Sequence, residues 1–382
     1  MIAAAIAVLV LLGSAIQVGY GIYFFLRIQN ADAADDATSS FPATLQHPLS
    51  VLICAKNEAH NLRAYLPFIL DQHYFTANRQ PFFEVVVVND QSEDETGAVL
   101  EALQTQYAHL KVVTIHPSEY RSLPGKKFAL SKGVAAVAHE YIVLTDADCK
   151  PATVDWLHYM SQPFATGKEI VAGYGGFFSR KGFLNVFIRC ETLHTYLQYL
   201  TYNLADIPYM AVGRNLAVHK ALLLRAQEHL LWKVTASGDD DLLIQLCATK
   251  NNMAVQTHPP SFTYSAPPDT WRKWVKQKQR HFSTGKLYKK KVQLLLGGYA
   301  FSHALSWLGL LLWFMPPTTL SMVALTAMGI RLLFTWYCLN EMSLRTRENN
   351  LFICWPLFDI GWLLYNFIFA PFIFWKNKQQ WK

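Results

Sequence analysis

The feature that most constrains this chain is where its charge is missing. From Ile2 to Leu26 there is no charged residue, and such a run exceeds the ~20 residues that a helix needs to cross a bilayer. Toward the other end, Val292 to Met315, Thr318 to Leu339 and Leu351 to Trp375 are each long enough to span as well. The middle alternates apolar runs with charged loops, as a water-facing domain does. With 382 residues the chain is longer than one hydrophobic core usually organises, so more than one unit is expected. The expected organisation is an N-terminal anchor over 1–28, a linker over 29–49, a globular domain over 50–285 and a membrane region of two or three spans over 286–382. A cleaved leader would open with positive charge, whereas the first basic residue here is Arg27, so the anchor is read as uncleaved. Ala31 to Pro48 is small, polar and interrupted by Pro42 and Pro48, a linker composition.

The formal net charge of +7 is concentrated. Between Arg272 and Lys291 there are nine Lys or Arg residues and no carboxylate, directly before an apolar stretch. A basic block in that position is a topology signal or a lipid headgroup contact, and with no nucleic-acid motif beside it, nucleic-acid binding is not expected. Counting positive charge places the amino terminus outside and the middle domain in the cytoplasm, at the cell inner membrane. Arg345 and Arg347 mark a further cytoplasmic loop. Three spans after the domain would leave the carboxyl terminus outside. Lys376, Lys378 and Lys382 oppose that, so Leu351 to Trp375, with Pro356 and Pro371, stays open as a re-entrant hairpin. Arg331 and Asp359 fall inside apolar stretches and each needs a partner. The six cysteines are far apart, with no C-x-x-C pair for zinc or redox chemistry.

Within the middle, Ser50 to Ala55, Glu84 to Asn89, Lys111 to Ile115 and Tyr141 to Thr145 read as buried strands. Ala59 to Asp71 and Ala129 to Ala138 read as helices. Strand alternating with helix implies an α/β fold with a mostly parallel, Rossmann-like sheet covered on both faces. Ligands bind such sheets beyond the carboxyl ends of the strands, so the residues just after each strand carry the chemistry.

Asp146-Ala147-Asp148 follows the fourth strand. Two carboxylates one residue apart repel unless a cation lies between them, and Mg2+ or Mn2+ suits oxygen ligands; an acidic turn is the plainer reading. Asp90 ends the second strand, and Ala55, Asn57 and Glu58 follow the first, which outlines a nucleoside pocket built from two loops, or simple turn chemistry. Lys126 stands at a loop-to-helix junction where it can neutralise a diphosphate, although Gly125-Lys126-Lys127 is no Walker motif. Asp239, Asp240 and Asp241 precede an apolar helical run. Helix-dipole capping accounts for acids there, yet three in a row leaves one available as a general base. Gln277 and Arg280 sit in the basic block, where an arginine either stabilises a departing diphosphate or faces lipid headgroups. The stretch Phe183 to Leu200 reads as a core helix, with a place along the membrane surface as the alternative.

Taken together these residues resemble the inverting family 2 glycosyltransferases of the GT-A fold, in particular the membrane-embedded group with a D, D-x-D, (E/D)-D and Q-x-x-R-W series. The resemblance covers Ser50 to about Gly285. It implies a nucleotide-diphospho-sugar transferase using a UDP- or GDP-sugar donor, with Mg2+ or Mn2+ at Asp146 and Asp148. It further implies nucleoside contacts at Ala55, Asn57, Glu58 and Asp90, and Lys126 near the diphosphate. Asp240 corresponds to the family's base, or Asp241 if the register shifts by one, and Asp239 replaces the commoner Glu. Gly213-Arg214-Asn215 resembles the acceptor-side glycine segment, Gln277 and Arg280 match the last motif, and His281 stands where the family has Trp. The implied acceptor is a hydroxyl of a lipid or saccharide, with membrane lipid around the flanking spans. A polyprenyl-phosphate glycosyl synthase is the alternative enzyme, disfavoured by the acidic triplet, and a non-catalytic nucleotide-sugar-binding subunit of an assembly system is the alternative outside enzymes.

Overall fold

The computed structural model describes residues 1–35 and 46–374, in two compact units. Of the expected linker, 36–45 lie outside the described residues, as do Lys376, Lys378 and Lys382.

The first unit, 1–35 with 180–207 and 285–374, is helical. Its helices are α1 (Ile2–Asp35), α6 (Phe183–Leu204), α11 (Lys290–Trp307), α12 (Gly309–Leu312), α13 (Thr319–Arg345) and α14 (Trp355–Phe369). Helix α1 continues into the stretch expected as linker, because Ala31, Ala33 and Ala34 are strong helix formers. Helix α6 runs past Leu200 to Leu204. Thr318 and Ser321 start α13 with a reciprocal capping box. The last segment is helical from Asn349 to Phe374, with Pro356 in the first turn of α14, where a missing N–H costs nothing. Four stretches are long and apolar enough to cross a membrane: Ile2–Phe25, Lys290–Leu312, Thr319–Arg345 and Asn350–Ile373. Leu294, Phe301, Leu333 and Phe367 are exposed on these helices, an apolar surface suited to hydrocarbon.

The two charges inside the apolar stretches pair with each other. Arg331 donates from both terminal nitrogens to Asp359, at 2.6 and 2.9 Å, and the same carboxylate takes bonds from Trp307 at 2.9 Å and meets His303 at 3.2 Å. Both residues are buried, so the ion pair ties α11, α13 and α14 where neither charge could stand alone. A second buried pair, Arg189 with Glu348, joins α6 to the turn after α13.

The second unit, 46–179 with 208–284, is the α/β domain. Strands β1 (Leu49–Ala55), β2 (Phe83–Asp90), β3 (Leu110–Ile115) and β4 (Tyr141–Asp146) are parallel, in the order β3-β2-β1-β4. Beyond β4 the sheet continues through β8 (Leu216–His219), which is antiparallel to it, then β6 (Ile170–Ala172) and β9 (Met253–Val255). A small second sheet holds β5 (Cys149–Pro151), β10 (Thr263–Ser265) and β7 (Gly175–Phe177).

Alternation along the strands feeds two cores. Val51, Ile53, Val85 and Val87 pack against Leu62, Leu66 and Ile69 of α2 (Ala59–Leu70), Val99 and Leu100 of α3 (Thr96–Gln104), and Trp156 and Met160 of α5 (Trp156–Ser161). On the other face Leu52 and Val88 meet α4 (Lys126–Ala136) so closely that a Cβ on Gly133 would lie 2.4 Å from Leu52. Each such aliphatic side chain contributes about 1.5–3 kcal/mol on full burial. Helix α4 starts at Lys126, three residues before the expected Ala129, because Gly125 (φ 62°) turns the chain into it. The remaining helices are α7 (Lys220–Glu228), α8 (Leu230–Val234), α9 (Asp239–Cys247) and α10 (Trp271–Phe282).

Candidate active site

Register aligns the carboxyl ends of the central strands: Cys54 of β1 lies beside Asp146 of β4, and Ala55 beside Asn89 of β2. The loops leaving them therefore open on one side of the sheet. The loop after β1 is knitted to the loop after β2. Asn57, in the left-handed region at φ 55°, donates its backbone N–H to Ser92 at 2.9 Å and accepts from the Glu93 amide at 2.8 Å. Glu58 donates its amide to Thr96 and accepts from Asn61 at 2.6 Å. Ala55 is fully buried, and the Asn89 side-chain oxygen is buried without a hydrogen-bond partner among the described residues.

Asp90 is fully buried and held by Arg121, which donates two bonds to it at 2.7 and 3.0 Å and a third to the Gly125 carbonyl at 2.9 Å. This arginine had no signal in the sequence, since it lies in a loop and acts only through the fold. Through it the carboxylate anchors the turn that delivers Lys126. Lys126 itself forms an ion pair with Asp146. Burial of that ammonium opposes its charge, but Asp146 and Asp239 outweigh the cost and raise its pKa.

Asp146, Asp148 and Cys149 bring their ligand atoms within 4.8 Å of one another. Burial pushes the Asp146 carboxyl up, yet Lys126, Arg214 and Arg280 together hold it below the usual range. Asp148 goes the other way, to about 6, through burial and then the Asp146 charge. The Cys149 thiol is driven upward by burial and by the two acids. The two carboxylates are oxygen donors that fit a hard divalent ion.

The acidic triplet forms the first turn of α9. Gly238 precedes it at φ 74°, where a Cβ would also sit 2.7 Å from Thr284. Asp240 accepts from the Gly213 amide at 2.8 Å and from the Asp241 amide at 2.9 Å. Burial and then Asp239 raise its pKa to about 6, against those two amides. Asp241 accepts from the Thr284 hydroxyl at 3.1 Å. Next to Gly213, the Arg214 carbonyl accepts from Thr145 at 2.9 Å, one residue before Asp146. Arg214 donates to Ser265 at 2.9 Å and lies 4.1 Å over the Phe177 ring. Its segment was noted in the sequence, but not that its charge would face Asp146 and Asp148.

Lys127 is buried, and donates to the carbonyls of Trp232 and Thr235 at 3.1 and 2.8 Å. Burial lowers it to about 8, with Asp239 and Asp240 pulling the other way. On α10, capped by Thr270, the spacing of three puts Gln277 and Arg280 on one face. Arg280 is close enough to act on Asp146. The Gln277 side-chain oxygen is buried with no partner among the described residues, while His281 is exposed. Cys54 draws the set together: burial pushes its thiol up to about 12, and Lys126, Asp239, Asp146 and Asp90 all act on it.

Comparison with known proteins agrees with this architecture. Residues 47–284, more than half of the chain, match the family model described as glycosyltransferase like family 2. A curated relative, the probable glycosyltransferase YdaM of Bacillus subtilis (strain 168), is 26% identical over 244 residues, covering 61% of this chain and 54% of its own length. The chain thus spans about half of that relative. Among solved structures, the mannosyltransferase PcManGT from Pyrobaculum calidifontis, in complex with GDP-Man and Mn2+, is 19% identical with a TM-score of 0.51, covering 95% of this chain and 99% of that one. That likeness is one of fold, the GT-A arrangement.

Proposed function

This chain belongs to glycosyltransferase family 2, and we propose that it transfers a sugar, with inversion, from a UDP- or GDP-sugar to a hydroxyl of a lipid-linked or saccharide acceptor at the cytoplasmic face of the inner membrane. The observation that carries the reading is the short path between two acidic motifs. Thr145 bonds the Arg214 carbonyl, and the adjacent Gly213 amide bonds Asp240.

Asp240 is the base. Its carboxylate is oriented by two amides, and burial has raised its proton affinity toward that of a working base near neutral pH. It takes the proton from the acceptor hydroxyl as that oxygen attacks the anomeric carbon from the face opposite the nucleotide. Asp146 and Asp148 would hold Mg2+ or Mn2+, which supplies Lewis-acid neutralisation of the diphosphate. Lys126, Arg280 and Arg214 add fixed positive charge for the leaving group. The unpartnered oxygens of Asn89 and Gln277 are acceptors left for the donor, alongside Ala55, Asn57, Glu58 and Asp90 in the two loops of the nucleoside pocket. Asp239 tunes Asp240 by like charge, and Asp241 fixes the turn through Thr284.

The test is turnover of a panel of UDP- and GDP-sugars with Mn2+ by the full-length protein in membranes, followed by mass spectrometry of extracted lipids. One donor should give a sugar-bearing product. Absence of turnover across the panel would sink the assignment.

A further inference from the structure

We propose that Lys127 is a positioning residue for the transfer reaction, holding the chain that enters α9 through the carbonyls of Trp232 and Thr235 and so setting where Asp239 and Asp240 stand. The inference rests on the reading of Asp240 as the base and adds a residue to it.

Lys126 and Lys127 occupy the first turn of α4, where the helix dipole disfavours positive charge. Each ammonium therefore needs a partner from elsewhere. Lys126 finds Asp146. Lys127, only 1% exposed, reaches a segment 105 and 108 residues further along the chain: its Nζ donates to the Trp232 carbonyl at 3.1 Å and to the Thr235 carbonyl at 2.8 Å. The same nitrogen lies 4.6 Å from the centroid of the Trp232 ring, a favourable place for a cation. Trp232 is itself fully buried, so the grip falls on a fixed point.

The held segment is short. Ala236, Ser237 and Gly238 alone separate Thr235 from Asp239, and Gly238 passes the chain into α9 through a left-handed backbone. With the Thr235 carbonyl fixed, the first turn of α9 has little freedom to shift. The Gly213 amide and the Thr284 hydroxyl bond Asp240 and Asp241 of that turn. Those two grip the acids themselves, and Lys127 grips the chain that leads to them.

Fixing a turn does not by itself call for a charge. A buried ion is a weak source of stability, and an apolar side chain of like volume often does as well or better. Here the charge has a use. Burial lowers the proton affinity of the ammonium, and Asp239 and then Asp240 act to raise it. The attraction is mutual, so the cation favours the ionised acids and opposes the burial and the like charge that push Asp240 the other way.

The experiment uses the full-length protein in membranes and the variant Lys127→Met, close in length to lysine but with neither charge nor donors. Titration with UDP and GDP in the presence of Mn2+ counts the intact sites. Transfer is then measured per site across pH, with the UDP- or GDP-sugar that the wild type turns over. We expect kcat to fall roughly 10–100-fold while the donor KM stays within about threefold, the signature of a displaced group rather than a lost binding contact. The acid limb of kcat/KM should move to higher pH by about half a unit or more, because the acids lose a neighbouring cation. Transfer per site within about threefold of the wild type, or a fall with the acid limb left in place, overturns the positioning role. A wild-type profile with no acid limb overturns the base reading instead. If Lys127→Met binds neither nucleotide, Lys127→Gln, which keeps a donor without the charge, is held to the same outcomes, and loss of the sites in both variants also overturns the proposal.

Discussion

The Gly213 amide donates to the Asp240 carboxylate at 2.8 Å, and so the glycine segment before β8 holds the acid that starts α9. A Cβ at Gly213 would meet that carboxylate at 3.4 Å, an ordinary contact, so it is the backbone amide and not the missing side chain that the position supplies. Turning the chain here brings the second acidic motif toward the strand end that carries the first, since the next carbonyl bonds Thr145.

The pH dependence of kcat/KM follows from Asp240. A base must be ionised to accept a proton, and burial and then the Asp239 charge push its carboxyl up to about 6. Activity should rise with pH through that value and level off above it, falling about tenfold for each unit below. A flat profile between pH 5 and 7 in steady-state assays would remove Asp240 from the base role.

Removing the cation should abolish turnover. Chelation with EDTA is expected to silence the enzyme and Mn2+ or Mg2+ to restore it. In Asp148→Asn the Mn2+ concentration for half-maximal activity should climb by at least about tenfold, because one or two carboxylates are all that such a site commonly uses. Unchanged metal demand in that variant would mean that Asp148 is not a ligand.

The Asp90 and Arg121 pair should be a stability element as well as a loop anchor. Arg121→Ala leaves a fully buried carboxylate without its partner. Breaking a buried pair costs ~3–5 kcal/mol, and with the arginine about a third exposed we expect the lower part of that range or less. Thermal unfolding in detergent reads it, with the double variant Asp90→Leu/Arg121→Met recovering part of the loss.

How much of this was legible in sequence follows from run length and from distance along the chain. The strands β1, β2 and β4 carry buried stretches such as Val85 to Val88, and the edge strand β3, with Lys111 and Thr114 exposed, still holds Val112 and Val113, so all four stood out within a residue or two of their ends. Strands β5, β6, β7, β9 and β10 have three residues each, too few to show a period. The antiparallel β8 has only four. The acids were visible because acids cluster rarely. Arg121, 31 residues from Asp90, and the charge of Arg214 toward Asp146 were not, since only the fold brings them there. Arg331 and Asp359 were each legible as charges needing partners, and the pairing of one with the other was not.

That last pair has its own prediction. Asp359→Leu strands a guanidinium in the apolar bundle, so the single variant should lose much more thermal stability in detergent than Arg331→Leu/Asp359→Leu, in which no charge is left. Equal losses would show that the ion pair is not what joins α13 to α14.

The account turns most directly on Asp240→Asn, measured by donor titration beside single-turnover transfer. It predicts donor affinity within about threefold of the wild type and transfer reduced by roughly 10²–10⁴-fold, the worth of a positioned base. Loss of donor binding together with transfer, or transfer left intact, would contradict it.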